Sequence, residues 1–280
     1  AVGLARLGVH THMLARLGSG PFGALVRDHL VANNVGLAHA VQADEPATLA
    51  VVSLDDAGRA TYDFYAEGTS DWQWSADELP DALPDGTSAL CTGSIAAARQ
   101  PGAPALLQLL RREHERMNTT IVLDPNLRPA LIGPPEDVRG HWDILIELAD
   151  VVKVSDEDLA WLVPGADVLA IAKTWAERGP SLVVVTRGGD GALAAISGGT
   201  IVEVAAAPVD VVDTVGAGDA FTAGLVDTLR LNGMLGAGAG QRLADLTPER
   251  LRPILDRAGR IAAITCGRQG ADPPTADEVG

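Results

Sequence analysis

Lysine is nearly absent from this 280-residue chain, occurring only as Lys153 and Lys173, and no basic block offsets a net charge of −16. A surface this acidic repels phosphate backbones, so nucleic acid is not an expected partner. Any anion site must be built locally, from backbone N–H groups and a few arginines. Cysteine is scarce too: Cys91 and Cys266 stand far apart with no CxxC, which gives no support to structural zinc. That usage fits a reducing, cytoplasmic setting, with a pairing of the two left open. No apolar run approaches the ~20 residues of a membrane span. No signal peptide is visible, because residues 1–8 lack a basic stretch followed by an apolar core. They read instead as the last turns of a helix closing at Gly8, so the expectation is that the chain starts inside its domain.

Several catalytic signatures are missing as well. A dinucleotide fingerprint GxGxxG would need glycine where Phe221 stands, and neither lysine follows a glycine as a Walker A loop requires. GxSxG and HExxH do not occur, which removes serine-hydrolase and zincin readings. What remains is ordinary globular composition, 47% apolar and 21% charged. The length suits one large α/β domain with a small appendage.

Short apolar runs at 88–92, 121–124, 151–154 and 182–186 alternate with amphipathic stretches at 104–116 and 168–178. Such alternation predicts parallel strands with helical crossovers, an α/β sheet covered on both faces. In such sheets ligands bind beyond the carboxyl ends of the strands. Two strand-like runs at 48–54 and 60–65, joined by a polar turn carrying Gly58, predict a β-hairpin. It can serve as a lid over the ligand crevice or be a plain edge hairpin. A second hairpin is expected over 181–196, turning at Arg187-Gly188-Gly189-Asp190-Gly191. The glycine-rich run 232–240 reads as a connector after a helix, with a ligand contact as the alternative.

The chemistry concentrates at Asp213-Thr214-Val215-Gly216-Ala217-Gly218-Asp219-Ala220-Phe221. An apolar, β-branched run over 202–212 precedes it, and an apolar helical run over 220–231, closed by Gly233, follows. The glycines are thus expected where a strand turns into a helix. The first N–H groups of a helix lack internal partners and carry partial positive charge. Glycines there admit an anion to the backbone. A carboxylate beside such a pocket, Asp219, makes sense as the base for a hydroxyl attacking phosphorus. It equally suits an N-cap after a tight turn.

Asp213 to Phe221 resembles the C-terminal signature DTxGAGD of the PfkB, ribokinase-like carbohydrate kinase family. Other pieces follow in that family's order across most of the chain. Gly20-Pro21-Phe22-Gly23 is similar to its early G-x-F-G turn, and Asp124-Pro125-Asn126-Leu127-Arg128 to its DxNxR. The segment 184–192 is similar to its nucleotide-side hairpin, and 265–271 to the segment beside the adenine. The resemblance implies a three-layer sandwich, mostly parallel and helix-covered, in a single domain with a small β lid around 48–66. It implies ATP and Mg²⁺ as cofactors, with a potassium-type ion as an option. Asp219 would be the base and Gly216, Ala217 and Gly218 the anion hole. Thr186, Gly188, Gly191, Gly267 and Gly270 would line the nucleotide site, and Asp124, Asn126, Arg128 and Phe64 the sugar site. Asp213 and the Val215 carbonyl would hold the monovalent cation.

The chain departs from the family where NxxE should order the magnesium waters. Ser155 and Asp158 stand there, keeping a shortened carboxylate at Asp158 with Glu157 beside it, and hydrated Mg²⁺ needs few direct ligands. The family's N-terminal sugar-binding Asp and its Gly-Gly-x-x-x-Asn would precede residue 1. DPNLR and the aromatic strand Tyr62-Asp63-Phe64-Tyr65 are most similar to fructokinases, which orders the acceptors as fructose, then 2-keto-3-deoxygluconate, then ribose or a nucleoside. A homodimer paired through the hairpin is also expected. Two other classes stand beside the kinase: a non-catalytic sugar- or nucleotide-binding protein of the same fold, and a nucleotide-binding oxidoreductase, weakened by Phe221.

Overall fold

The structure, a computed structural model, describes residues 1–54 and 60–280. Its strands are β1 (Arg16–Ser19), β2 (Val41–Pro46), β3 (Leu49–Leu54), β4 (Ala60–Tyr65), β5 (Ala89–Gly93), β6 (Thr120–Asp124), β7 (Val151–Ser155), β8 (Leu182–Thr186), β9 (Ala192–Ile196) and β10 (Ile201–Val204). Its α-helices begin with α1 (Val2–Arg6), α2 (Gly20–Ala32), α3 (Ser94–Ala98), α4 (Ala103–Arg116), α5 (Pro129–Ile132) and α6 (Pro135–Leu148). They continue with α7 (Asp156–Leu162), α8 (Val168–Ala176), α9 (Ala217–Leu231), α10 (Ala239–Ala244), α11 (Pro248–Cys266) and α12 (Ala276–Val279).

Six strands form the main sheet in the order β10-β9-β8-β7-β6-β5. β5 to β8 run parallel, and β9 is antiparallel to both β8 and β10. Side chains alternate across a strand, and each face has its own helical cover. Val152, Val154, Val183 and Val185 pack with Leu109, Trp142, Leu159 and Trp175 of α4, α6, α7 and α8. Val122, Val151, Leu182 and Val184 pack with Leu225, Leu229, Leu243 and Leu255 of α9, α10 and α11. Each fully buried Val or Leu contributes roughly 1.5–3 kcal/mol. The result is the three-layer α/β sandwich expected, its central strands largely apolar because both faces are covered, with Lys153 in β7 the exception.

Two small pairs lie apart from this sheet: β1 with β2, parallel, and β3 with β4, antiparallel, setting Ala50 opposite Phe64. The expected hairpin is therefore present, although its turn at 55–59 and the side chains of 53, 54 and 60–62 lie outside the described residues. The second hairpin turns through a short 3-10 segment, Gly188–Asp190.

Three local expectations need correction. Gly20 to Gly23 is no free-standing turn: it opens α2, with Pro21 in the first turn, where a missing N–H costs nothing. The run 202–212 is strand only as far as Val204, since its partner β9 begins at Ala192, the last residue able to pair with it. A loop over 205–216 then leads into α9, which starts at Ala217. The glycine-rich connector donates from Gly236 N–H to Thr120 Oγ1 at 2.8 Å. Thr120 opens β6, so this connector sits at the amino edge of the sheet, opposite Asp124.

Candidate active site

The carboxyl ends of β6 and β7 meet the first turn of α9. Register explains how. Val122 pairs with Val151 and Leu123 with Val152, so two residues further on Asp124 lies beside Lys153. Both share the parity of Val122 and Val151 and face α9. Lys153 Nζ donates to Asp124 Oδ2 at 3.0 Å, the lysine being only 4% exposed. Thr222 Oγ1 approaches the same Oδ2 at 3.0 Å and its own helix's Gly218 carbonyl at 3.0 Å. Asp124 Oδ1 is buried without a partner among the described residues. Burial pushes the Asp124 carboxyl up from its ordinary range; Lys153 and Thr222 pull against that, and Asp219 adds to the rise.

Gly216 is the N-cap of α9, with φ +79°. That makes Asp219 the third residue of the helix, so the capping interpretation of its carboxylate fails. No hydrogen bond to the exposed Asp219 side chain occurs among the described residues. The Ala217 N–H is bonded to the Thr214 carbonyl at 3.2 Å, whereas the N–H groups of Gly216, Gly218 and Asp219 take no partner among the described residues. The open donors at this helix end are therefore Gly216, Gly218 and Asp219 more than Ala217. A Cβ on Gly218 would sit 3.1 Å from Lys153 Nζ, so the buried ammonium backs directly onto the turn.

A separate groove of about 600 Å³ runs between the loop after β10 and α11, lined by Ala205, Pro208, Val209, Asp256, Arg260 and Gly267 among others. Gly191 shapes it: a Cβ there would collide with the Val204 carbonyl and the start of the 205–209 loop. Thr186 ends β8, where its Oγ1 meets the Val154 carbonyl at 3.4 Å, and Gly188 opens the 3-10 turn.

Asp213 ties two loops together. Its Oδ1 accepts from Val215 N–H at 3.0 Å and its Oδ2 from Gly270 N–H at 2.8 Å, and these bonds hold its carboxyl below the usual range. Val212 and Asp213 N–H both donate to the Cys266 carbonyl, at 2.8 and 3.1 Å. Cys91 and Cys266 are free thiols.

Strain gathers at the carboxyl ends of β5 and β6. Ser94 and Asn126 have φ of +54° and +39°, and Ser94 Oγ donates to the Asn126 carbonyl at 3.0 Å. Such conformations cost ~1–3 kcal/mol each and concentrate at ligand sites. Arg128 is exposed and folds Nη1 back onto Asn126 Oδ1 and the Leu127 carbonyl, both at 2.8 Å. Asp158 Oδ1 accepts from Leu127 N–H at 3.1 Å, while its N–H is capped by Ser155 Oγ at 3.0 Å. Burial pushes the Asp158 carboxyl up, with Ser155 opposing and Asp124 adding. Its Oδ2 has no protein partner among the described residues, and Glu157 is exposed. Phe64 is half-buried on β4.

The structure thus joins Asp124, Gly218, Lys153 and Thr222 at one point, with Asp219 beside it, and joins Asp213, Val215 and Gly270 at another. Neither Lys153 nor Thr222 stood out from the sequence as a site residue. The available signal was a lysine inside the buried run Val151-Val152-Lys153-Val154, on the parity that faces Asp124. Ala205 to Val209 and Arg260 carried no motif at all.

A family model described as pfkB family carbohydrate kinase matches residues 1–278. The chain is 36% identical over 255 residues to a fructokinase from Rhizobium leguminosarum bv. trifolii, covering 90% of this chain and 75% of that protein. Among solved structures it resembles the fructokinase of Xylella fastidiosa with bound ATP, at TM-score 0.89 and 27% identity, over 100% of this chain and 86% of that one. It also resembles a double mutant of the Vibrio cholerae O395 fructokinase in a fructose, ADP and potassium ion bound form, at TM-score 0.80 and 26% identity, over 97% and 83%.

Proposed function

The chain belongs to the pfkB family of carbohydrate kinases, and from that premise we propose that it transfers the γ-phosphoryl group of ATP to a hydroxyl of fructose. That it is an ATP-dependent sugar kinase follows from the family and its fructokinase relatives. The observation that carries the catalytic assignment is the first turn of α9, where the N–H groups of Gly216, Gly218 and Asp219 and the exposed Asp219 carboxylate take no partner among the described residues. Asp219 takes the proton of the attacking hydroxyl as its oxygen bonds to the γ-phosphorus and the bridging oxygen leaves on ADP. The N–H groups of Gly216, Gly218 and Asp219 hold the equatorial charge. The nucleotide lies toward the groove at Gly267, with Thr186, Gly188 and Gly191 supporting it.

The donors near the site suit magnesium and potassium. Asp158 offers one oxygen without a partner among the described residues, which fits an ion that keeps its waters, and the neighbouring Glu157 is exposed. Magnesium there would neutralise charge on the phosphates. Asp213 and the Val215 carbonyl lie on the loop clamped to Gly270 and Cys266, a place where a monovalent cation would complete the carboxylate's shell.

Asn126, Arg128 and Phe64 are read as the sugar side. Arg128 spends Nη1 on its own loop, which favours a neutral hexose over a sugar acid. The β3–β4 hairpin is the lid and the surface through which two copies would pair.

Sugar-dependent ADP release over a panel of hexoses, sugar acids and nucleosides tests the reading. Fructose should give the highest kcat/KM, and Asp219→Asn should lower kcat by roughly 10²–10⁴-fold. An unimpaired Asn variant would sink the catalytic assignment, and preference for a sugar acid would sink the acceptor.

A further inference from the structure

Lys153 is the least expected residue near the cradle. Charged side chains are almost never fully buried unless paired, and desolvating an ammonium costs several kcal/mol. Here the chain places one of its two lysines in the middle strand of the sheet, 4% exposed, and binds it to one carboxylate oxygen at 3.0 Å. An ammonium has three N–H donors, and a single acceptor is described for it. Its Nζ instead abuts the open face of Gly218, 3.1 Å from where a Cβ would project. Thr222, one turn along α9, links the same Asp124 oxygen to the Gly218 carbonyl. Packing alone does not account for this set. A Val or Leu at 153 would bury at a gain, as its neighbours do.

We propose that Lys153 is a positioning residue for phosphoryl transfer: through Asp124 and Thr222 it braces the first turn of α9, and its charge behind Gly218 strengthens that turn's hold on the transferring group. This rests on the reading of Gly216 to Asp219 as the phosphoryl cradle. A positive charge behind the cradle acts most when negative charge spreads over the equatorial oxygens. It therefore favours the transition state over bound ATP. The brace keeps Gly218 and Asp219, adjacent in the turn, in register with the attacking hydroxyl. A methyl group at Gly218 would press on the ammonium and push it away from the turn by a few tenths of an ångström.

The test compares wild type, Lys153→Met, Lys153→Met/Asp124→Asn and Asp219→Asn. Thermal unfolding, kcat, both KM values, and the affinity for ADP alone and for ADP with aluminium fluoride and sugar are measured for each. Lys153→Met strands a buried carboxylate and should melt lower; the double variant removes both charges and should regain the melting temperature. Removing one stabilising group from such a cradle typically lowers kcat on the order of 10²-fold. That loss is expected in both variants, with ADP affinity kept and aluminium fluoride affinity reduced in parallel. Recovery of kcat along with the melting temperature in the double variant would assign Lys153 to the fold alone and overturn the proposal. So would full activity in Lys153→Met while Asp219→Asn is inactive. An active Asp219→Asn enzyme would instead bring down the underlying cradle reading, whatever Lys153 does.

Discussion

Replacing Gly216 with alanine perturbs the junction on which the site depends, and its cost can be worked from two separate sources. The residue caps α9 at φ +79°, a region where a Cβ costs roughly 1–2 kcal/mol. The new methyl would also lie 2.6 Å from Ala271 Cβ and 3.0 Å from Ala271 Cα. Carbon atoms prefer about 3.5–4.0 Å, so one loop must move by nearly 1 Å, at an overpacking cost of ~1–3 kcal/mol. Together the variant should lose roughly 2–5 kcal/mol, lowering the melting temperature by roughly 3–9 °C. Relief by movement is obstructed, because Cys266 and Gly270 are bonded to the 212–213 backbone and to Asp213. The displacement therefore passes into the helix start, where a 1 Å error can cost ~10²-fold in rate. Differential scanning calorimetry with steady-state kinetics measures both. Gly216→Ala/Ala271→Gly separates the sources: it should regain the share due to the Ala271 methyl and keep the backbone share. Wild-type melting and turnover in Gly216→Ala would refute the argument, and no recovery in the double variant would refute its steric half.

Other perturbations reach different parts of the molecule. Gly140 lies inside α6 with open space around a built Cβ, so Gly140→Ala should raise stability by roughly 0.5–1 kcal/mol, read as a higher urea midpoint at unchanged slope. Leu225, fully buried between α9 and the sheet, should cost roughly 2–5 kcal/mol on truncation to alanine, again by urea titration. Glu278 is held down at about 2 by the Thr275 N–H first, then Arg268 and the Thr275 hydroxyl. A depressed carboxylate stabilises above its ordinary value near 4.5 and loses that contribution as pH falls toward 2. Glu278→Gln should accordingly melt below wild type at neutral pH, with the gap closing between about pH 4.5 and 2; a gap constant with pH would contradict this.

What could be read from sequence followed from how local each cause is. Strands β5 to β8 were placed to within about a residue, because strands covered on both faces are apolar at every position. The segment from Asp213 to Phe221 stood out because its glycines and two carboxylates act within one turn of chain. The 202–212 run misled for the complementary reason. β-branched residues report a fit to a pleated surface, but a ladder ends where its partner ends, and Gly191 closes the turn just before β9. Val209, Val211 and Val212 are 38%, 63% and 64% exposed, with Val209 lining the groove beside α11, so none of the three is core. Lys153 and Asp124, 29 residues apart, meet only through strand register, which no local window contains. Still, each was visible as a charge in an apolar run, on one parity of adjacent parallel strands. A lone buried charge is costly, so a lysine within an apolar strand calls for an acidic partner on a neighbouring strand, and the register of β6 and β7 supplies it in Asp124.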